Sequence, residues 1–273
     1  MTDFPLAAVL GHPISHSRSP RMHRFWLAQA GIKGDYTAID VPPGGLADAL
    51  GAMRTLGFRG CNVTIPHKIE ALELADQATD RAQRIGAANT LIFDDGLIKA
   101  DNTDGYGFIQ NLNQGAPDWN RTAPAVVLGA GGAARAVIDA LLDAGVPELR
   151  LTNRSRDKAD ALAQVFGDRV QVVDWQDAKS ALPGAGLLVN TTSLGMTGQP
   201  DLTLDLAALP ASATVTDLVY APLRTDLLER AAAKGCATVD GLGMLLHQGV
   251  PGFEAWFGHR PEVTEELREA VLA

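Results

Sequence analysis

A glycine-rich segment in the middle of the chain has the residue types and spacing that bind a dinucleotide. An apolar run over residues 125–128 leads into Gly129, and a helical pattern follows the turn. Gly129 would permit a tight turn, and Gly131 would let the backbone approach a pyrophosphate, whose charge the N–H groups of the helix start stabilise. Ala134 is small enough for the close helix packing that this pattern requires. The segment predicts a dinucleotide-binding turn made of Gly129, Ala130, Gly131, Gly132 and Ala133.

The residues after the next predicted strand indicate which dinucleotide is bound. An acidic side chain at the end of this strand, residues 149–152, would bind the ribose 2′-hydroxyl of NAD. The sequence has Asn153, Arg154 and Ser155 there and no carboxylate. The planar guanidinium of Arg154 suits a 2′-phosphate and the face of an adenine ring, and an exposed arginine without a ligand is the alternative. We therefore predict NADP as the cofactor.

A lysine and an aspartate are the candidates for proton transfer, because a nicotinamide supplies hydride but not the proton that a carbonyl oxygen gains. Lys68 follows a predicted strand and begins a helix, although a lone lysine is most often simply solvated. Asn62 and Thr64 lie two positions apart, so they share one strand face, and burying them is costly unless a partner binds them. Asp104 begins a helix and could equally be its N-cap. The polar surroundings of Lys68 favour a binding site over a solvated surface.

Composition and charge exclude several classes of protein. The chain has 273 residues, of which 46% are hydrophobic and 20% charged, as in ordinary globular proteins. Its net charge of −9 would repel a phosphate backbone, so we expect no nucleic-acid partner. It has no apolar stretch of about 18 residues and no basic start typical of a signal peptide. We expect a soluble, cytoplasmic protein without a membrane partner, which is a monomer or a homodimer.

The cysteine and histidine patterns do not indicate a disulfide or a metal site. Cys61 and Cys236 are far apart in the sequence, and no C-x-x-C pair occurs. His12 and His16 have the spacing of helical metal ligands, but Pro13 lies between them and would interrupt such a helix. We therefore expect two buried thiols and no bound metal.

The first hundred residues alternate short strand patterns with helical patterns. Ser19 and Pro20 predict the N-cap and first turn of a helix, and Asp94-Asp95-Gly96 predicts a hairpin turn. The predicted strands cover residues 6–10, 36–41 and 61–65, and a further helix covers residues 46–56.

The chain changes character after residues 102–105. Short apolar strands separated by helices follow, which predicts a parallel sheet covered on both faces. These strands cover residues 125–128, 149–152, 170–173, 187–189 and 215–219. The segment after Asp240 is helical and could fold back onto the first part. We predict an α/β protein with one domain over residues 1–103, completed by residues 240–273, and a Rossmann-like, doubly wound domain over residues 104–239.

Taken together, these motifs resemble the shikimate dehydrogenase family, because many of them occur in order along nearly the whole chain. The matching segments are Ser15-His16-Ser17, residues 62–68, residues 86–90, residues 102–105, the glycine turn, Asn153-Arg154-Ser155, residues 190–196, Tyr220-Ala221-Pro222 and residues 241–248. The resemblance implies a substrate-binding first domain and an NADP-binding second domain. It implies the reversible NADP-dependent reduction of 3-dehydroshikimate to shikimate in aromatic amino-acid and chorismate biosynthesis.

The resemblance also implies roles for individual residues. Lys68 and Asp104 correspond to the catalytic pair. The substrate's hydroxyls and carboxylate would be held by Ser15, Ser17, Asn62, Thr64, Asn89, Tyr220 and Gln248. The cofactor site would include Thr191, Ser193, Met196 and Gly241 besides the residues named above. Two departures from the family pattern are Ser155, where threonine is common, and Asp226 after Thr225, where proline is common and which puts the start of the next helix in question.

Two other functions compete with this prediction. A quinate/shikimate dehydrogenase would differ in its cofactor preference and would accept an additional ring hydroxyl. The Ser15-x-Ser17 pair and the missing acidic residue near Arg154 argue against it. A catalytically idle NADP-binding sensor would need the glycine turn alone. Because Lys68 and Asp104 are both present, the sequence favours an enzyme.

Overall fold

The computed structural model describes residues 4–273 and divides into two compact units. The first is formed by the chain up to Thr103 together with Leu246–Ala273, and the second is Asp104–Leu245. The chain thus crosses between the units after Thr103 and again after Leu245.

The first unit contains a six-stranded mixed sheet with the order β2-β1-β3-β5-β6-β4. Strands β1 and β3 are parallel, β5 is antiparallel to β3, and β6 is antiparallel to β5. Its elements are β1 Leu6–Gly11, α1 Ser19–Ala30, β2 Asp35–Asp40, α2 Leu46–Thr55, β3 Phe58–Val63, α3 Lys68–Glu73, β4 Gln77–Ala78, α4 Asp80–Ile85, β5 Thr90–Asp94 and β6 Leu97–Asp101. Because β6 runs parallel to β3, the carboxyl ends of β1, β3 and β6 lie at one edge of the sheet.

Both faces of this sheet are covered at β1, which explains the continuous apolar run of that strand. Ala7 and Val9 of β1 pack with Tyr36 and Trp256 on one face. The alternate residues of β1 pack on the other face, where α2 lies. The predicted hairpin is confirmed, since Asp95 and Gly96 join β5 to β6 with φ of 50° and 80°.

Two local predictions in this unit need correction. Ser19 is not the cap of α1: the N-cap position is Arg18, and Ser17 Oγ accepts a hydrogen bond from Ser19 N at 3.3 Å. The third strand ends at Val63 rather than at residue 65, and it begins at Phe58. Gly60 lies within this strand and pairs with β5. A Cβ at this position would lie 2.1 Å from Leu91 O, so only glycine permits the pairing.

The second unit contains a six-stranded sheet with the order β12-β11-β10-β7-β8-β9, in which all strands are parallel. Its elements are α5 Asp104–Gly115, β7 Ala125–Leu128, α6 Gly132–Asp143, β8 Leu149–Asn153, α7 Arg156–Phe166, β9 Val170–Asp174, a 3₁₀ helix Trp175–Ala181, β10 Leu187–Asn190, β11 Thr214–Asp217, α8 Asp226–Ala233 and β12 Ala237–Val239. The strand order reverses between β7 and β10, which is the Rossmann-like arrangement that the sequence predicted.

The start of α8 is intact despite the departure at residue 226. Thr225 is the N-cap and its Oγ1 accepts a hydrogen bond from Leu228 N. Asp226 places a carboxylate in the first turn, where the helix dipole favours negative charge. The cap by Thr225 and the carboxylate of Asp226 therefore stabilise the start of the helix, and no proline is needed there.

Two helices end the chain, α9 Leu242–Phe257 and α10 Glu265–Leu272. Trp26 Nε1 of α1 donates to Glu262 O at 2.9 Å, just before α10, and Arg18 Nη1 donates to Val271 O at 2.7 Å. These bonds join the carboxyl terminus to the first unit. Within residues 4–273, no helix is both long enough and apolar enough to cross a bilayer.

We expect the stability of the protein to fall as the pH drops below about 6.5, because the folded protein favours the neutral form of the buried His23 and the half-buried His247. Neither ring nitrogen of His23 has a hydrogen bond of normal geometry among residues 4–273, and burial lowers its pKa to about 3 although the Asn62 side chain favours the charged ring. Burial, helped by the charge of Arg268, lowers the pKa of His247 to about 4. The unfolded chain therefore binds more protons than the folded protein below pH 6.5, and His23 alone would cost about 1.4 kcal/mol of stability per pH unit.

This prediction is measured by urea unfolding between pH 6.5 and 4.5 at constant ionic strength. The variant His23→Phe keeps an aromatic ring against Tyr36 and removes the titrating group, so its stability should depend less steeply on pH. Equal slopes in the two proteins would contradict the assignment to His23.

Candidate active site

Five of the predicted substrate residues lie at the edge of the first sheet where β1, β3 and β6 end and β5 begins. Ser15 and Ser17 follow β1, Asn62 and Thr64 lie at the end of β3, and Asn89 directly precedes β5. These residues are separated in sequence, and the parallel direction of β1 and β3 brings their loops to the same edge. The sheet thereby assembles a polar edge from three separate segments.

Lys68 is the first residue of α3, and its main chain is fixed from two directions. The neighbouring His67 ring is buried, and its Nε2 lies 2.6 Å from Val41 O. Ala88 N donates to Lys68 O at 2.8 Å. The half-buried Lys68 side chain therefore projects from a rigid backbone position.

Asn89 is the centre of a buried polar cluster. Its Oδ1 accepts hydrogen bonds from Thr103 N at 2.8 Å and from Thr90 Oγ1 at 2.9 Å, and its Nδ2 donates to Gln248 Oε1 at 3.2 Å. Thr103 Oγ1 donates to Gln248 O at 2.8 Å. The cluster thus holds the amides of Asn89 and Gln248 in one orientation each.

Sequence reasoning missed Thr90 and Thr103 as parts of this cluster. Both are almost completely buried, at 1% and 0% exposure. Thr90 directly follows Asn89, and Thr103 directly precedes Asp104. Their positions beside predicted site residues were the feature of the sequence that could have indicated them. The Thr90 hydroxyl and the Thr103 main-chain N–H satisfy the amide oxygen of Asn89 in the interior, as buried polar groups require.

Three predicted substrate residues have hydroxyl groups that donate no hydrogen bond to the described part of the chain. The side chains of Ser15 and Thr64 make no hydrogen bond with residues 4–273, and Ser17 Oγ only accepts one, from Ser19 N. Ser15 is exposed, whereas Ser17 and Thr64 are half-buried. These hydroxyls can donate to an oxygen-rich ligand without breaking a bond inside the protein.

Asp104 is the first residue of α5 in the second unit and is half-buried. The next residue, Gly105, packs directly on α6, since a Cβ there would lie 2.8 Å from Ala136 O. This contact fixes where α5 begins. The position suits both of the roles that the sequence left open, a helix-terminal carboxylate and a reactive one.

The glycine turn lies in the second unit at the point where the strand order reverses. Gly129 has φ of +106°, and a Cβ there would lie 2.6 Å from Thr191 Oγ1, which donates to Leu128 O at 2.7 Å. The positive φ and the close contact each require glycine at position 129. Apart from the adjoining backbone, no atom of residues 4–273 lies within 4 Å of a Cβ placed on Gly131 or Gly132, and no side chain of these residues caps α6 at Gly131. The turn therefore offers open backbone and uncapped N–H groups, which fit a pyrophosphate.

The loop after β10 is anchored by a buried carboxylate that the sequence did not single out. Asp217 is 0% exposed, and burial raises its pKa. It accepts hydrogen bonds from Asn190 Nδ2 at 2.9 Å, Val219 N at 3.0 Å and Thr225 Oγ1 at 2.7 Å. Asn190 in turn accepts from Thr192 N at 3.0 Å. Asp217 therefore links the segment of Thr191 and Ser193 to that of Tyr220.

The two arginines after β8 differ in how the protein uses them. Arg156 is held by Asp160 at 3.0 Å and Asp174 at 2.7 Å, which raise its pKa. Arg154 is exposed and has no hydrogen bond or ion pair among residues 4–273. Asn153 Nδ2 donates to Ser155 O at 2.8 Å and shapes the turn between them. Arg154 is thus the arginine of this turn that a ligand can bind.

A cavity of about 450 Å³ lies beside Arg154 at the carboxyl ends of the strands. Trp175 and Lys179 of the 3₁₀ helix line one part of it, and Leu128 and Leu194 contribute apolar wall. Asp201 and Asp205 also line the cavity, and the groups there that suit an adenine ring and a phosphate are the Trp175 ring and the cations of Arg154 and Lys179. The residues present therefore fit the phosphorylated adenosine of the predicted cofactor.

The remaining predicted site residues lie on other loops of the second unit. Met196 is 38% exposed, and Ser193 is also exposed. Tyr220 is half-buried, and its hydroxyl has no partner among the described residues. Gly241 is buried, and a Cβ there would lie 2.3 Å from Leu218 O, so close backbone packing alone requires glycine at that position.

These features define a class: a two-unit α/β protein that combines a polar sheet edge with a Rossmann-like unit carrying an open glycine turn. Three family profiles match the chain, described as the shikimate dehydrogenase substrate binding domain over residues 9–91, shikimate / quinate 5-dehydrogenase over residues 113–196, and the shikimate 5′-dehydrogenase C-terminal domain over residues 241–272.

Individual relatives agree with the profiles. "Shikimate dehydrogenase (NADP(+))" of Cereibacter sphaeroides is 63% identical over 98% of this chain and 97% of its own. The structure of Thermus thermophilus shikimate 5-dehydrogenase with NADP(H) and shikimate is 40% identical, covers 98% of this chain and 99% of that one, and has a TM-score of 0.87. Quinate dehydrogenase from Corynebacterium glutamicum with NAD is 34% identical, covers 99% of both chains and has a TM-score of 0.92. The chain belongs to the shikimate dehydrogenase family.

Proposed function

We propose that this chain catalyses the reversible, NADP-dependent reduction of 3-dehydroshikimate to shikimate, a step of aromatic amino-acid biosynthesis. The observation that carries the proposal is the 63% identity, over nearly the full length of both chains, to a relative named shikimate dehydrogenase (NADP(+)). The polar edge of the first unit and the glycine turn of the second are the features that this chemistry needs.

The substrate would be bound in the first unit by convergent polar groups. The proposed set is Ser15, Ser17, Asn62, Thr64, Asn89 and Gln248, together with Tyr220 of the second unit. The hydroxyls can donate to the carboxylate and the amides can bind ring hydroxyls. A site built from such groups rejects analogues that lack a hydroxyl, because its own buried polar atoms would then be left unpaired.

Lys68 and Asp104 are the proposed catalytic pair. When NADPH is bound, it supplies hydride to the carbonyl carbon of the substrate. Lys68, as an ammonium, holds the proton that the carbonyl oxygen gains in this step, and in the reverse direction it receives that proton. Asp104 takes part in the same proton exchange.

The cofactor would be held by residues of the second unit. Its pyrophosphate would lie on Gly129, Ala130, Gly131, Gly132 and Ala133, where the turn leaves the backbone open. Asn153, Arg154 and Ser155 would bind the phosphorylated ribose. Thr191, Ser193, Met196 and Gly241 complete the proposed set.

The assay that tests this function compares four combinations, shikimate or quinate with NADP or NAD, by the absorbance of the reduced nicotinamide. Shikimate with NADP should give the highest kcat/KM. A higher value for quinate with NAD would favour the activity named for the Corynebacterium relative. No turnover in any combination would favour a binding protein without catalysis.

Thr64→Val should weaken shikimate binding selectively. The substitution keeps the branched shape and removes a hydroxyl that makes no hydrogen bond inside the described chain. If this hydroxyl donates to the substrate carboxylate, the KM for shikimate should rise roughly 10- to 150-fold, equivalent to about 1.5–3 kcal/mol. Initial rates with each substrate varied would measure both KM values.

The KM for NADP and the urea midpoint of Thr64→Val should stay at their wild-type values. A parallel rise of both KM values would contradict a role specific to the substrate.

A further inference from the structure

Tyr36 begins a line of buried hydrogen bonds that ends in the candidate substrate site. It lies on β2, is 0% exposed, and donates from its hydroxyl to Asn62 Oδ1 at 2.7 Å. No sequence motif contains it. Because it is fully buried, it cannot touch a ligand, and its hydroxyl is linked to the candidate site through Asn62.

The direction of this bond follows from the other partners of Asn62. Asn62 Nδ2 lies 3.1 Å from Asn89 O and 3.1 Å from Thr90 Oγ1. A backbone carbonyl can only accept, so the atom facing it must be the amide nitrogen, and both of its protons are used there. The amide oxygen therefore faces Tyr36, whose hydroxyl must be the donor. Burial raises the pKa of Tyr36, so this donor keeps its proton.

The line continues from Thr90 to the residues proposed to bind substrate. Thr90 Oγ1 accepts from Asn62 and donates to Asn89 Oδ1 at 2.9 Å. This leaves the amide nitrogen of Asn89 to face Gln248 Oε1 at 3.2 Å. A continuous series of buried hydrogen bonds thus connects Tyr36 to Gln248.

The ring of Tyr36 is itself held in place by aromatic side chains. His23 stacks on it with a centroid distance of 3.9 Å and an angle of 2°. The ring centroid of Trp256 lies 6.1 Å from that of Tyr36, and Trp256 Nε1 donates to Leu91 O at 3.0 Å. The phenol hydroxyl therefore has one position, directed at Asn62.

We propose that Tyr36 is a positioning residue for the reaction: its hydroxyl holds the amide of Asn62, and through it Asn89, in the orientation that binds substrate. The proposal rests on the proposed function. Without the hydroxyl, Asn62 Oδ1 loses its donor at 2.7 Å, so the amide turns toward another donor, such as the neighbouring His23 ring, and gives up its bonds to Asn89 and Thr90.

The test is Tyr36→Phe, which keeps the ring and its stacking on His23 and removes only the donor. We expect kcat/KM for shikimate to fall about 10-fold, while the KM for NADP stays at the wild-type value. The matched control is Thr264→Val, which removes the side-chain bond to Leu267 N at the start of α10 and takes no part in the line. It should lose comparable stability in urea and keep the wild-type kcat/KM.

A double-mutant cycle with Asn62→Ala separates positioning from general damage. If Tyr36 acts through Asn62, Tyr36→Phe should have no further effect on kcat/KM once Asn62 is alanine. If the effects of the two substitutions on kcat/KM multiply, or if Tyr36→Phe is fully active, the proposal for Tyr36 is wrong and the proposed function still stands. A wild-type protein that does not turn over shikimate would overturn the proposed function first, and this inference with it.

Discussion

Lys68→Ala should lower kcat for shikimate oxidation by roughly 10²- to 10⁴-fold, the usual effect of losing an acid–base group. Lys68 is the first residue of α3, and its backbone is held by the His67 ring and by Ala88 N. Alanine is a good helix former, so the substitution should not disturb α3. The KM for NADP should stay almost unchanged, because the proposed cofactor residues lie in the second unit.

Two comparison variants sharpen this result. Lys68→Arg keeps a positive charge but cannot give up its proton near neutral pH, so it should remain nearly as slow as Lys68→Ala if the lysine transfers a proton. Asp104→Asn should also be slow and remain folded. Near-normal kcat in Lys68→Ala would remove the assignment, and a fully active Asp104→Asn would make Asp104 only a helix cap. Steady-state rates and urea unfolding measure both properties.

Arg154→Ala should raise the KM for NADP by one to two orders of magnitude, roughly the 1.5–3 kcal/mol of a charge-assisted contact. Arg154 has no partner among residues 4–273 and lies at a cavity lined by Trp175 and Lys179. If its guanidinium binds the 2′-phosphate, kcat/KM with NAD should hardly change, because NAD lacks that group. The ratio of kcat/KM for NADP to that for NAD should therefore decrease.

Arg156→Ala is the matched control for this prediction. It removes an arginine from the same turn, but one whose guanidinium is already held by Asp160 and Asp174. The ratio of kcat/KM for NADP to that for NAD should stay at the wild-type value in this variant. An unchanged ratio in Arg154→Ala would mean that Arg154 is an exposed surface side chain, and equal losses with both cofactors would indicate a structural role.

Several predictions from the sequence depended on local rules and are confirmed by the structure. Gly129 was predicted to make a tight turn, and its φ of +106° is one that glycine adopts without strain. The Asp94-Asp95-Gly96 hairpin and the parallel second sheet are confirmed as well. These features follow from the conformational preferences of a few neighbouring residues or from an apolar run, both of which can be read along the chain.

Element ends were predicted less well, because they depend on partners elsewhere in the chain. The third strand reaches back to Phe58 only because Gly60 lets Leu91 and Trp256 approach closely. The N-cap position of α1 is Arg18 rather than Ser19, whose own N–H donates to Ser17 Oγ. The roles of the predicted site residues stay predictions that the experiments above test.

The sequence by itself determined the class of fold, the glycine turn and the set of candidate residues, since each is encoded in side-chain types and spacings within a short window. Tertiary structure alone decided which buried groups support them. Tyr36, Thr103 and Asp217 stand in segments that look like ordinary strand or helix-start sequence, yet each completes hydrogen bonds of a residue distant in the chain. A buried amide or carboxylate must find its partners in space, and no local pattern records which strand will bring them.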